Sequence, residues 1–328
     1  MPKNKYEALH ALLGPDQRGL ILVYPDPDSL ASAWALSCLF KKNRGSADIA
    51  IYEPIKRIEN RQMVQLLKIP LIPFKEIQES SYSLFCMVDA QPNQFPLITR
   101  SRWDIVIDHH PLHPEYTYAF SDIRPDMGAT SSIMTDYLIS ARVRVGERLA
   151  TALCYGIITD TDNFQRNMTR ADALAFSFLF TRANYRLLKV IEQTEVPFRQ
   201  LHYFQLALQR LKVHSRRAVV HIGSAESLDI AVILADFLIR VSGIQFVVIS
   251  CIAMDKLIII FRSRSMRKDA GKIAARHFSD LGSAGGHKAA ARAEIPLDRL
   301  PPELRLYSPD SVEKFIEKRL SKPGKPSG

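Results

Sequence analysis

The chain has 328 residues with 47% hydrophobic and 24% charged content, a globular balance with length enough for two domains. Its four cysteines (Cys38, Cys86, Cys154, Cys251) stand singly in apolar stretches, which excludes a disulfide framework, and no run of about 18 uncharged apolar residues exists to span a membrane. With 44 basic against 34 acidic residues the net charge is +10, which fits a polyanionic substrate, although simple solubility would also account for it.

The amino-terminal segment is polar and lacks the apolar core of a secretory signal, so a cytoplasmic location is expected. Residues 19–24 predict the first strand, ending at Pro25-Asp26-Pro27-Asp28-Ser29. A helix is expected over 30–40, with Ser29 placed to cap it. If the backbone stays extended, Asp26 and Asp28 share a face, and two carboxylates there call for a cation between them. A plain turn rich in Pro and Asp would use the same residues. Residues 47–52 predict a second strand, 58–68 a helix, and 83–88 a buried strand ending at Asp89. The β-branched run 103–107 predicts another buried parallel strand, with Asp108-His109-His110 emerging at its carboxyl end. Ligands bind at that end of an open α/β sheet; alone, the triplet would equally fit a helix cap with two exposed imidazoles.

Helices are expected over 129–141 and from 147 to about 157, the second running into Gly156-Ile157-Ile158-Thr159-Asp160-Thr161-Asp162. Strands alternating with helices through residue 160 predict an α/β fold, a doubly wound and mostly parallel sheet. Residues 170–213 read as wholly helical. A second, smaller mixed α/β domain begins near 217–222 and continues with a helix (228–240), strands (245–252, 256–261), a helix (268–278) and a strand (290–295). Residues 321–328 have the composition of a disordered end.

Taken together, Asp26, Asp28, Asp89, His109 and Asp160 put four carboxylates and an imidazole at one sheet edge. Such a set predicts a binuclear centre in which two divalent ions activate water and clamp a phosphoryl group. Oxygen-rich ligation with one imidazole favours Mn²⁺, with Mg²⁺ or Co²⁺ behind it. No thiolate ligand, Walker loop or GxGxxG is present. In the second domain, Arg262-Ser263-Arg264-Ser265 offers guanidiniums and hydroxyls to phosphate oxygens. The small-residue loop Gly282–His287, containing Gly285 and Gly286, lets backbone approach a ligand and ends in an imidazole. Each cluster is common by itself; together, on a domain tethered to a metal site, they are expected to grip the nucleotide part of a substrate as a lid.

The ordered set Pro25-Asp26-Pro27-Asp28, Val88-Asp89, Asp108-His109-His110 and Gly156-Ile157-Ile158-Thr159-Asp160-Thr161 resembles the DHH phosphoesterase superfamily. Residues 261–291, with Phe261-Arg262-Ser263 and Gly285-Gly286-His287-Lys288, resemble its carboxy-terminal DHHA1 domain. The resemblance implies a DHH domain over 18–185, a helical linker over 186–213, a DHHA1 domain over 214–305 across a cleft, and a tail over 306–328. It also implies that Asp26 and Asp89 bind one metal while Asp28, Asp89, His109 and Asp160 bind the other. His110 would contact the scissile phosphate with Asp108 orienting the imidazoles, and Arg262, Ser263, Arg264, Gly285, Gly286 and His287 would hold substrate. Within the superfamily the chain is most similar to the bifunctional oligoribonuclease and pAp phosphatase type, which implies short RNA or nucleotide substrates. The first motif departs from the family: a metal-binding histidine is usual where this chain has Leu22, and related exonucleases place an aspartate where it has Tyr24. That departure implies a weak first metal site, with His113 as one substitute, and keeps two alternatives open: a single-strand exonuclease, and a nucleotide-binding protein without turnover. A homo-oligomer is compatible with the chain but has no signature in it.

Overall fold

A computed structural model describes residues 3–321, apart from 56, 96–97, 99–101, 114–115, 166–167, 193–195, 227 and 266. It divides into two compact units, Met1–Thr194 and Glu195–Gly328.

Unit 1 contains, in order, α1 (Lys3–Leu12), β1 (Arg18–Val23), α2 (Pro27–Lys42), β2 (Ser46–Ile51), α3 (Ile58–Leu67), β3 (Ile72–Pro73), β4 (Leu84–Val88), β5 (Trp103–Asp108) and β6 (Tyr118–Ile123). It closes with α4 (Thr130–Ser140), α5 (Glu147–Asp160), α6 (Arg170–Phe180) and α7 (Tyr185–Glu192). The six strands form one parallel sheet in the order β3-β2-β1-β4-β5-β6. The order reverses between β1 and β4, which opens a crevice beyond their carboxyl ends. Both faces of β1 are covered. Ile21 and Val23 pack into the core with α2 and α5, while Leu20 and Leu22 pack with Met87, Phe95, Trp103 and Val106. Burial on both faces is why this strand reads as one continuous apolar run.

Several local expectations change. Helix α2 starts at Pro27, not residue 30: proline suits the first helical position, and Asp26 rather than Ser29 is the cap, accepting from the Asp28 and Ser29 N–H groups. Asp28 is therefore helical, and its proximity to Asp26 does not come from extended alternation. Helix α5, expected to about residue 157, runs on to Asp160 as its last residue. The polar amino-terminal segment forms helix α1, and it and the residues after it bury Leu9 and Leu13. Strand β6 escaped notice because it is a sheet edge whose buried positions, Phe120 and Asp122, are only two.

Unit 2 contains α8 (Leu201–Arg210), β7 (Val213–His214), β8 (Arg217–Ser224), α9 (Asp229–Leu238), β9 (Phe246–Ala253), β10 (Lys256–Ser263), α10 (Ala270–Phe278), β11 (Ser283–Gly286), β12 (Ala290–Pro296) and α11 (Pro309–Ser321). Its mixed sheet has the order β11-β12-β10-β9-β8-β7, with β8 and β9 as the parallel pair. The expected helical linker is shared out: Leu188 and Ile191 of α7 enter the core of unit 1, and Tyr203 and Ala207 of α8 that of unit 2. The glycine stretch expected as a loop is strand β11, paired with β12. Residues 309–321, expected within a tail, form α11, which buries Val312 and Ile316; residues 322–328 lie outside the described residues. Glu313 of α11 accepts the His221 N–H at 3.0 Å, covering the edge of β8 beyond the two-residue β7.

Candidate metal centre

Three parallel strands and two helix ends deliver the acidic residues to the crevice. Asp26 follows β1 and lines a cavity of about 330 Å³ with Tyr24, Asp89, Gln94, His110 and Asp160. Asp28, in the first turn of α2, is fully buried; its two oxygens accept the Thr130 and Ser131 N–H groups at 2.7 Å each. A carboxylate there satisfies the unpaired donors at the start of α4 and faces its positive end. Asp89 follows β4 in the left-handed region (φ 58°), which aspartate tolerates better than most residues. Its oxygens accept from Ser29 Oγ at 2.8 Å and Thr130 Oγ1 at 2.9 Å.

His109 joins this group through Nε2, 3.0 Å from Asp160 and 3.4 Å from Asp89, while its Nδ1 lies 3.2 Å from the Met127 carbonyl. Despite those carboxylates, the buried Nε2 makes no hydrogen bond of good geometry. Ligand atoms of Asp28, Asp89, His109 and Asp160 lie within 4.8 Å of one another, and a second group comprises Asp89, His109 and His110. Among the described residues neither group includes Asp26 or His113.

The electrostatics follow from this crowding. Burial, with the Asp160 charge second, pushes Asp28 up to about 7, and burial followed by Asp28 and Asp26 pushes Asp89 well above the carboxylate range. Asp26 is raised by burial and then by Asp160. Burial would lower His109, but Asp160 and Asp28 outweigh it and raise the imidazole to about 9. Crowded, buried carboxylates disfavour one another's charge and favour a positive charge among them. A divalent ion supplies that charge, and the unpaired Nε2 beside three carboxylates is a donor set suited to it.

Asp108 is a different acid. Burial opposes its charge, yet hydrogen bonds from His110 and Gln91 outweigh that and hold it below the usual carboxylate range. Its Oδ1 receives the His109 and His110 N–H groups and faces His110 Nδ1 at 2.9 Å; Gln91 Nε2 donates to Oδ2 at 2.7 Å. His110 is raised, chiefly by that bond to Asp108, and stands half exposed beside the cavity.

Residues 21–157 match the model of the DHH family, N-terminal domain. That stretch, 137 of the 328 residues, is a DHH-family domain. An uncharacterized protein of Methanocaldococcus jannaschii is 34% identical over 281 residues, covering 85% of this chain and 58% of that one. An A-adding tRNA nucleotidyltransferase of Aquifex aeolicus is 28% identical over 199 residues, 58% of this chain and 23% of that one. The chain thus spans little more than half of the first relative's length and under a quarter of the second's. Among solved structures, an exopolyphosphatase-related protein of Bacteroides fragilis superposes with TM-score 0.71 at 16% identity, covering 97% of this chain and 96% of that one. RecJ of Thermus thermophilus in complex with Mn²⁺ gives 0.52 at 14% identity, covering 98% and 54%. At these identities the likeness is one of fold, and it extends over both units.

The DHH domain's first motif is remodelled rather than merely missing a ligand. Leu22 is wholly buried in the apolar layer behind the crevice. Tyr24 stacks on Phe95 with centroids 4.6 Å apart and donates to the Gln94 carbonyl. His113 is held elsewhere, its N–H donating to Gln91 Oε1 at 2.7 Å. Sequence reasoning gave no part to Gln91, Thr130 and Ser131, took Ser29 only as a helix cap, and met Gly156 only within a motif. The only signal was the run of small polar residues, Thr130-Ser131-Ser132, at a helix start. Gly156 of α5 packs on Asp28: a Cβ there would lie 2.4 Å from Ser131 Oγ and 3.0 Å from Asp28 Oδ1.

In unit 2, Arg262 leaves β10 and is gripped by Asp236, Nε to Oδ1 at 2.6 Å and Nη2 to Oδ2 at 3.3 Å. Ser263 Oγ donates to the Lys268 carbonyl, closing the loop after the strand. Arg264 lines a separate depression of about 510 Å³ with Arg216 and residues 241–245. Gly285 and Gly286 lie in β11, Gly286 at φ 141°, and its carbonyl oxygen would be only 2.2 Å from a Cβ at Gly271. The His287 carbonyl accepts the Gly271 N–H at 3.0 Å, so this turn seals the start of α10.

Proposed function

We propose that the chain is a divalent-metal-dependent phosphoesterase acting on short oligonucleotides or 3′,5′-bisphosphorylated nucleosides such as pAp. The observation that carries this reading is the convergence of Asp28, Asp89, His109 and Asp160, with the unpaired His109 Nε2 among them. These residues would hold the ion, which when bound supplies Lewis acidity and a more acidic water. Mn²⁺ suits the mixed carboxylate and imidazole set, with Mg²⁺ and Co²⁺ as alternatives.

The surrounding residues have separable tasks. Asp108, fixed by Gln91, orients the His110 ring and favours its protonated form. His110 then presents an N–H to a phosphate oxygen or to the departing oxygen. The Thr130 and Ser29 hydroxyls aim the Asp89 carboxylate. Arg264, Arg262 and His287 of unit 2 are the proposed phosphate grips, with Arg262 having to share its guanidinium with Asp236. His109 offers only Nε2, because Nδ1 faces the Met127 carbonyl. The larger group would hold one ion, and a second would rely on Asp26 and Asp89.

Incubating the purified chain with Mn²⁺ and either pAp or a dinucleotide, and following nucleoside monophosphate release, tests this. Release that depends on the ion and disappears in Asp160→Asn supports it. Tight nucleotide binding without release from any substrate would favour the alternative of a binding protein that does not turn over.

A further inference from the structure

A solvent-facing run of aromatic rings begins where the metal centre ends. Phe164 lies four residues after Asp160, and its ring meets Phe176 edge to face with centroids 4.8 Å apart. Phe176 stacks with Phe180, one turn along α6, at 5.5 Å, and Phe180 meets Tyr185 of α7 at 5.8 Å. Phe164, Phe180 and Tyr185 are 39%, 43% and 51% exposed, so most of this ladder is wet. The loop that launches it is strained. Asp162, Asn163 and Phe164 are consecutive left-handed residues with φ of 50°, 55° and 64°, a conformation that costs a phenylalanine more than the aspartate and asparagine before it. Strain of this kind persists where surrounding structure enforces it, and it concentrates at functional sites.

The charge along α6 and the start of α7 is mainly positive, although Asp162 precedes Phe164 and Glu147 accepts from Asn184 Nδ2 beside Tyr185 at 3.0 Å. Between residues 170 and 189 the exposed charged side chains are Arg170, Arg182, Arg186 and Lys189, while the one acid, Asp172, is buried in the capping box of α6. Lys189 Nζ sits 4.8 Å above the Tyr185 ring, and the Arg182 guanidinium 3.8 Å above that of Phe178. A second copy of this chain docked on the same face would bring a cationic rim onto itself. An acidic strand of flat bases would not: bases stack on exposed rings and phosphates meet the cations, independently of sequence.

We propose that the Phe164–Phe176–Phe180–Tyr185 face is a stacking track for single-stranded nucleic acid, seating nucleotides beyond those at the metal centre. This deepens the phosphoesterase reading and rests on it for the direction of the strand, but its binding test needs no turnover. In metal-chelated buffer, fluorescence anisotropy would compare labelled single strands of two, five and eight nucleotides on the full chain. Affinity is expected to rise with length in the unmodified protein, and Phe180→Ala and Tyr185→Ala each to remove on the order of 10-fold from the longer strands. Tyr185→Phe, which keeps the ring, is expected to retain the gain. Unchanged affinity for the eight-nucleotide strand in both alanine variants would overturn the proposal. So would a dimer that the same substitutions dissociate in sedimentation, since the face would then belong to a second copy. If no substrate is hydrolysed but strand binding still falls in the variants, the phosphoesterase reading fails and the track stands.

Discussion

Each unit buries a histidine whose Nε2 lacks a hydrogen-bond partner, and the two are driven in opposite directions. His109 is surrounded by carboxylates and is raised to about 9. His221, buried in β8 next to the edge strand of unit 2's sheet, is lowered to about 4, first by burial and then by the Arg210 charge, with Ser250 Oγ at 2.9 Å from its Nδ1. One imidazole sits in an anionic nest that invites a cation; the other is buried near the Arg210 cation, which disfavours even a proton. The difference teaches that an unpaired ring nitrogen marks a metal site only when fixed negative charge surrounds it.

The contrast breaks most completely at Asp89. Asp89→Asn is expected to cut Mn²⁺-dependent hydrolysis by more than the roughly 10–100-fold typical of losing an outer partner, because the residue belongs to both candidate ligand groups. The same change is expected to raise the melting temperature at neutral pH in chelated buffer, since folding no longer has to protonate a buried carboxylate there. Activity near that of the unmodified chain would remove Asp89 from the centre.

For His221 the effect is on stability and is set by pH. Its folded pKa of about 4 lies below the unfolded value near 6.5, so the unfolded chain takes up the proton first. The contribution is complete above pH 6.5 and is lost as pH falls towards 4, by roughly 3 kcal/mol in all. Urea unfolding of His221→Leu against the unmodified chain at pH 7 and pH 4.5 checks this: the acid-induced loss should shrink in the variant. An equal loss in both would place the sensitivity elsewhere.

Two smaller changes sharpen the picture of the centre. Gly156→Ala is expected to cost about 1–3 kcal/mol and to weaken Mn²⁺ binding in calorimetry, because its methyl group must displace Ser131 or Asp28. Leu22→His is expected to cost about 1–3 kcal/mol without tightening Mn²⁺ binding, because the imidazole would enter the apolar layer without a partner. Tighter binding would show that the layer can open.

What was legible in the sequence follows from range. Strands β1, β4 and β5 announced themselves because strands covered on both faces are continuous apolar runs, and the acids at their ends stood out against them. Asp28 lies over a hundred residues from the Thr130 and Ser131 amides that hold it, and Gln91 reaches three groups across a loop. Side chains that act by long-range hydrogen bonds have no local period to betray them. Helix α11 was missed for a related reason: its buried face is small, and the proline-rich stretch before it resembles a tail.

The grip of Asp28 on α4 has a practical corollary for anyone who needs an inactive control. This carboxylate fastens a helix start as well as belonging to the ligand group, so replacing it would loosen the scaffold, and a dead protein would be uninformative about chemistry. Asp160 ends its helix partly exposed and holds no backbone donor among the described hydrogen bonds. A knockout built there separates a protein that cannot react from one that cannot fold.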